Sequence, residues 1–146
     1  MRNKKRILIV DDDADIRLGY QVLLSAHHYD TFIASDAFSA LTEADIHKPD
    51  LIILDLSLPA VPKSECTLPM QEPGGGLLVM ERLAEDTNLA LIPVVVVSGL
   101  DPNANRGRAI HAGAMAFVQK PWDEEKLLAI IGQLLGSTET PISQHN

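Results

Sequence analysis

Four short apolar runs, each closed by polar residues capable of chemistry, constrain this chain more than any other feature. Ile7-Leu8-Ile9-Val10 runs into Asp11-Asp12-Asp13, and Leu51-Ile52-Ile53-Leu54 runs into Asp55. Val94-Val95-Val96-Val97 ends at Ser98, and Ala116-Phe117-Val118 leads through Gln119 to Lys120. Unbroken apolar runs of this length, separated by helix-patterned segments, read as central strands of a parallel sheet buried on both faces. All strands of such a sheet point one way, so their carboxyl ends share one edge, where ligands bind. Carboxylates, a hydroxyl and an ammonium therefore converge on one place. That set suits a divalent cation and a phosphoryl group.

The intervening segments supply the helices. Ile16, Tyr20, Leu23 and Leu24 recur at helical spacing behind Asp13, a natural N-cap. Ala37, Ala40, Leu41 and Ala44 form a small-residue face behind Ser35 or Asp36, and Gly76, Val79, Met80, Leu83 and Ala84 mark a third helix. Pro102 suits the first position of a fourth helix, which Gly113 ends. Leu127, Ile130, Ile131, Leu134 and Leu135 form the stripe of a fifth, which follows Pro121-Trp122-Asp123 and ends at Gly136. Strands are expected over 6–10, 31–34, 51–54, 94–97 and 115–118. Alternating strands and helices give a three-layer α/β domain.

Composition removes several classes of function. The chain has 146 residues, enough for one domain, and is 46% hydrophobic. Its longest apolar runs fall far short of the roughly 18 residues of a membrane span. The basic start, residues 1–6, precedes only four apolar residues, where a signal peptide needs about 7–15. A cytoplasmic protein is expected. A net charge of -8 argues against direct nucleic-acid binding, which wants a basic face. The single Cys66 excludes an internal disulfide and a four-cysteine zinc site.

Other motifs fail on particular residues. Asp11, Asp13 and Asp15 imitate the start of a calcium-binding loop, but Ile16 and Val22 stand where its Gly and Glu belong. Asp55-Leu56-Ser57 lacks the second acid of a dehalogenase-type phosphatase. No GxxxxGK[ST] phosphate loop occurs, and Gly74-Gly75-Gly76 reads as a flexible joint. His27, His28, His47, His111 and His145 fall away from the strand ends, as surface residues. Helix capping explains Asp13 but leaves Asp11, Asp12 and Asp55 unexplained. Such a cluster costs several kcal/mol in repulsion and desolvation unless a cation is present.

ILIVDDDADIR, DLIILDLSLP, VVVVSG and FVQKPW, in this order, resemble the receiver domain of two-component response regulators. The resemblance covers about 5–135. It implies a doubly wound five-stranded parallel sheet of the flavodoxin-like kind, with helices on both faces, occupying residues 5–136 ahead of a polar tail at 137–146. It also implies that Asp55 is the phosphoacceptor and that Mg²⁺ is the cofactor. Asp12 is then a direct metal ligand, Asp11 holds the metal through water, and the Ser57 backbone carbonyl completes the set beside Asp55. Ser98 matches the switch hydroxyl, Phe117 the switch aromatic and Lys120 the lysine that pairs with phosphoryl oxygens. The Lys120–Pro121 bond is expected to be cis. Phosphorylation is expected to draw Ser98 toward Asp55 and turn Phe117 inward.

Implied partners are a sensor histidine kinase or histidine phosphotransfer protein, and a downstream protein on the face of helix four, strand five and helix five. A homodimer remains open; direct nucleic-acid and membrane contacts are not expected. Two features depart from the family pattern. Leu100 is apolar where a polar residue is usual, and residues 60–75 form an insertion. That loop is expected to be a flap beside Asp55, with Leu68 and Met70 as its apolar contacts, or an inert insertion. Three roles stay open: a stand-alone switch, a receiver joined to a DNA-binding or enzymatic output domain, and a metal-dependent phosphohydrolase.

Overall fold

The computed structural model describes residues 4–59 and 74–136. Five strands, β1 (Arg6–Val10), β2 (Asp30–Ala34), β3 (Leu51–Leu54), β4 (Val94–Ser98) and β5 (Ala116–Gln119), alternate with five helices. The helices are α1 (Ala14–Ala26), α2 (Ala37–His47), α3 (Gly74–Glu85), α4 (Pro102–His111) and α5 (Glu124–Leu135). The strands form one parallel sheet in the order β2-β1-β3-β4-β5. The doubly wound parallel sheet that the resemblance implies is therefore present. Strand limits differ from expectation by about a residue at β2, β4 and β5, where fraying makes ends indistinct.

The apolar runs are continuous because both faces of the sheet are covered. Leu8, Val10, Ile52, Leu54, Val94 and Val96 face a core layer completed by Ala37, Ala40 and Ala44 of α2, Val79, Met80 and Leu83 of α3, and Ala109 of α4. Their alternating neighbours Ile7, Ile9, Leu51, Ile53, Val95 and Val97 face Tyr20 and Leu24 of α1 and Leu127 and Ile131 of α5. Strand side chains alternate between faces, so each run fills both layers. No described helix is long and apolar enough to cross a membrane.

Aspartates start four of the five helices. Asp13 accepts hydrogen bonds from the amides of Asp15 and Ile16, and Asp123 from those of Glu125 and Lys126. Asp101 accepts from the Asn103 amide, with Pro102 in the first turn. Asp36, rather than Ser35, caps α2 and forms a reciprocal capping box with Ser39. Each cap satisfies amides that the first helical turn leaves open.

Gly74-Gly75-Gly76 is not the joint expected from composition. α3 begins at Gly74, and the Gly75 and Gly76 amides donate to the carbonyls of Leu58 (2.9 Å) and Leu56 (3.2 Å). A Cβ on Gly75 would lie 2.1 Å from the Leu58 carbonyl oxygen, and one on Gly76 would lie 2.5 Å from the Leu56 Cα. These glycines permit close approach between α3 and the segment after Asp55. The rest of the expected insertion, with Cys66, Leu68 and Met70, lies outside the described residues, as do the 137–146 tail and His145. Ala84, expected on the inner face of α3, is exposed.

The glycines yield opposite expectations for one substitution. Gly76→Ala should destabilise the protein by about 1–3 kcal/mol, because the obstructing atoms are backbone. Gly132→Ala, in α5 with nothing within 4 Å of the new methyl, should stabilise by up to about 1 kcal/mol through helix propensity. Urea denaturation of both variants checks the pair. A neutral Gly76→Ala would show that α3 does not need this approach.

Candidate functional site

Strand register builds the site. β1 lies between β2 and β3, so the chain reverses its winding direction there and opens a crevice at the carboxyl ends. Val10 pairs with Leu54, which places Asp11 and Asp55 side by side one residue later. The Asp55 amide donates to the Val10 carbonyl (3.0 Å), and the Asp11 amide to that of Ala34 (3.1 Å). Ser98 pairs with Gln119, and the Lys120 amide donates to the Ser98 carbonyl (2.9 Å). The Lys120–Pro121 bond is cis, as the resemblance implied.

Lys120 brings the acids together. Its Nζ lies 2.8 Å from Asp11 Oδ2 and 3.6 Å from Asp55 Oδ2. Asp11 is 2% exposed and Asp55 3%, so this is a buried arrangement rather than a solvated surface pair. The second oxygen of each acid is also engaged: Asp11 Oδ1 accepts from the Asp13 amide (2.9 Å), and Asp55 Oδ1 accepts from the Ser57 amide (3.2 Å) and hydroxyl (3.1 Å).

Burial pushes the Asp55 carboxyl above the ordinary carboxylate range. Lys120 pulls it back, Asp11 pushes it up again, and the Ser57 hydrogen bonds lower it, with burial prevailing. For Lys120 burial alone would lower the affinity for a proton. The Asp11 hydrogen bond and the charges of Asp55 and Asp11 outweigh that penalty, so its pKa rises.

Asp11, Asp12 and Asp55 each offer a carboxylate oxygen within 4.8 Å of the others. Three hard oxygen donors gathered in this space form a donor set that fits Mg²⁺. Ser57 lies beside Asp55 as expected, although its observed contacts are made by its amide and hydroxyl. Ser98 is wholly buried at the end of β4, where its Oγ accepts from the Leu100 amide (3.0 Å).

Phe117 differs from expectation. It already points inward and is 6% exposed, packed in the layer shared with α2, α3 and α4. The Arg106 guanidinium covers its ring at 5.0 Å and donates to its backbone carbonyl at 3.3 Å. Three further residues bear on the site. Arg17 Nη1 donates to the Asp11 carbonyl (2.7 Å), and Tyr20 stacks on Trp122 with centroids 4.9 Å apart. The sequence marked Tyr20 only as a core position and gave no sign of its pairing with residue 122.

The family model described as the response regulator receiver domain matches residues 7–132. A probable transcriptional regulator, ycf27, of Cyanophora paradoxa is 32% identical over 139 residues, covering 95% of this chain and 52% of that protein. The DNA-binding dual master transcriptional regulator RpaA of Synechocystis is 34% identical over 134 residues, covering 92% and 50%. The chain thus spans about half the length of these curated relatives. The receiver domain of sensor histidine kinase PA1611 of Pseudomonas aeruginosa, solved with a magnesium ion coordinated in its active-site cleft, superposes with a TM-score of 0.76. It is 19% identical and covers 92% of this chain and 99% of that one. That likeness concerns the fold.

The raised pKa of Asp55 predicts a pH dependence. A carboxyl that binds its proton more tightly when folded contributes stability below its ordinary pKa of about 4. That contribution is lost as pH rises through the elevated folded value. In metal-free buffer Asp55→Asn should therefore be more stable than the parent at neutral pH, with the difference shrinking toward about pH 4. Urea denaturation across this range measures it; a variant less stable at pH 7 would contradict the assigned burial.

Proposed function

The chain belongs to the response regulator receiver domain family, and from its site we propose that Asp55 accepts a phosphoryl group from a phospho-histidine of a sensor kinase or histidine phosphotransfer protein. The observation that carries this reading is Lys120 Nζ held 2.8 Å from Asp11 and 3.6 Å from Asp55 at the crevice. Ser57 pins Asp55 Oδ1 with two hydrogen bonds, and Oδ2 faces the ammonium. Oδ2 is the oxygen disposed to attack phosphorus. As the new O–P bond forms, the P–N bond to the donor imidazole breaks, and the leaving imidazole takes a proton. Lys120 shifts its charge from Asp11 to the phosphoryl oxygens. Asp11, Asp12 and Asp55 would hold Mg²⁺, with the Ser57 carbonyl completing the protein ligands. When bound, the ion supplies charge neutralisation for a loose, metaphosphate-like transfer.

Receiver domains act as signalling switches, and we read this chain as one that catalyses only its own phosphorylation and dephosphorylation. The proposed output face is α4, β5 and α5. Arg106 of α4 grips Phe117 of β5 there, while Ile110 and Met115 are exposed at 47% and 59%. A downstream protein would meet this face. The second reading is a receiver unit of a larger regulator with a DNA-binding output, favoured by the half-length coverage of the transcriptional regulators above.

Incubation with acetyl phosphate and Mg²⁺ should add one acid-labile phosphoryl group. Asp55→Asn or excess chelator should abolish labelling; labelling that survives either would refute the assignment. Asp12→Asn should weaken Mg²⁺ binding while leaving metal-free stability equal or higher, since it relieves carboxylate repulsion. Calorimetric titration and thermal melting separate the two effects. A fall in melting temperature with unchanged affinity would make Asp12 structural. Lys120→Ala should slow labelling by about a hundredfold or more, the scale of losing one preorganised charge in a transfer site.

A further inference from the structure

Trp122 follows Lys120 by two residues, just beyond the cis bond to Pro121. Its indole lies on the Tyr20 ring, with centroids 4.9 Å apart and planes inclined by 16°. This is an offset stack of the favourable kind. Tyr20 is wholly buried in the layer formed with Leu24, Leu127 and Ile131. The stack therefore joins α1, the helix that begins directly after the acidic run, to the segment that carries the site's ammonium.

The Tyr20 hydroxyl is the one buried side-chain polar atom without a hydrogen-bond partner among the described residues. Burial, and after it the charges of Asp11 and Asp55, push its proton affinity up, so its tip lies within the field of the acids. The Trp122 indole N–H pulls weakly the other way without closing a hydrogen bond. A buried hydroxyl without a partner is destabilising. Packing alone would favour phenylalanine. Half-buried Trp122 also lines an open cleft of about 470 Å³ together with Ile16, Gly19, Lys120, Pro121 and Glu124.

We infer that the Tyr20–Trp122 stack is a clamp that fixes the root of Lys120, so that its ammonium reaches both Asp11 and Asp55. Tyr20 and Trp122 are then positioning residues for phosphoryl transfer, an inference resting on the reading of Asp55 as phosphoacceptor. A lysine stem has four flexible carbons, and its reach is defined only if its backbone is held. The backbone amide of Lys120 is anchored to Ser98 on one side, and the stack supplies the anchor on the other. When a phosphoryl group on Asp55 draws Nζ from Asp11, the charge beside the indole is redistributed while the clamped backbone stays in place.

A double-mutant cycle tests the route. Trp122→Ala should slow labelling by acetyl phosphate about tenfold in the parent, and by less than about twofold in a Lys120→Ala background, as coupled residues require. Trp122→Phe should rescue the rate, because it restores the stack. Tyr20→Leu, which keeps apolar bulk without a ring, should reproduce the loss. An independent measurement uses Trp122 itself, the single tryptophan of the chain. Its emission should shift when Mg²⁺ and beryllofluoride are added to the parent, and should stay constant in Lys120→Ala. Slowing of equal size in both Lys120 backgrounds, or unchanged emission in the parent, overturns the clamp while leaving Asp55 as acceptor. Absence of labelling in the parent, or labelling that survives Asp55→Asn, overturns the acceptor assignment and the clamp together.

Discussion

One ammonium between two buried carboxylates sets the terms for the whole carboxyl edge. Lys120 is shared unequally, close to Asp11 and more distant from Asp55. The inequality explains why the two partners respond differently to similar surroundings. For Lys120, two nearby acids outweigh burial. For Asp55, a single shared cation does not, so burial prevails. Asp12 adds a third carboxylate within reach. Three carboxylates gathered in this space favour a ligand that brings positive charge. Because such a ligand binds the folded arrangement and not the open chain, metal affinity and fold stability are linked.

Aspartate does two jobs in this molecule, and burial tells them apart. Asp13, Asp101 and Asp123 are exposed and spend their oxygens on helix amides. Asp36 is buried but closed into a reciprocal cap. Asp11 and Asp55 are buried at strand ends, and their oxygens turn to short loop amides and to Lys120. An acid that starts a helix stabilises it wherever the helix lies. An acid at the end of a central strand has no such use, and its cost is offset in part by Lys120 and by the hydrogen bonds to its second oxygen.

Much of this was legible because the governing physics is local or periodic. Apolar runs buried on both faces identify β1, β3 and β4, and parallel strands force Asp11, Asp55, Ser98 and Lys120 to one edge without any knowledge of side-chain geometry. The cap at Asp13 is likewise local. Interactions between distant segments were not legible. Three successive glycines look like a joint, and only the position of Leu56 and Leu58 shows that two of them are spacers. Tyr20 and Trp122 are about a hundred residues apart, and each fits an apolar position on its own. Phe117 was expected to wait outside until phosphorylation. The Arg106 guanidinium, eleven residues earlier, holds it inside through both ring and carbonyl.

The segment after Asp55 is held from two sides, which decides where the site can give way. Pro59 accepts from the Ala37 amide at the start of α2, while Leu58 and Leu56 accept from the Gly75 and Gly76 amides at the start of α3. Leu56 and Leu58 are wholly buried. Moving this segment would break backbone hydrogen bonds to two helices and expose two leucines, each worth about 1.5–3 kcal/mol in burial alone. The opposite wall is held less tightly. Ser98 Oγ engages the amide of half-buried Leu100, Gly99 is exposed, and Lys120 reaches the acids through a flexible stem. Under the proposed phosphorylation, a group on Asp55 would therefore be accommodated by the β4 and β5 side. That is where the hydroxyl, the ammonium and the Arg106–Phe117 contact lie, so the anchoring of the β3 side would direct displacement toward α4 and β5.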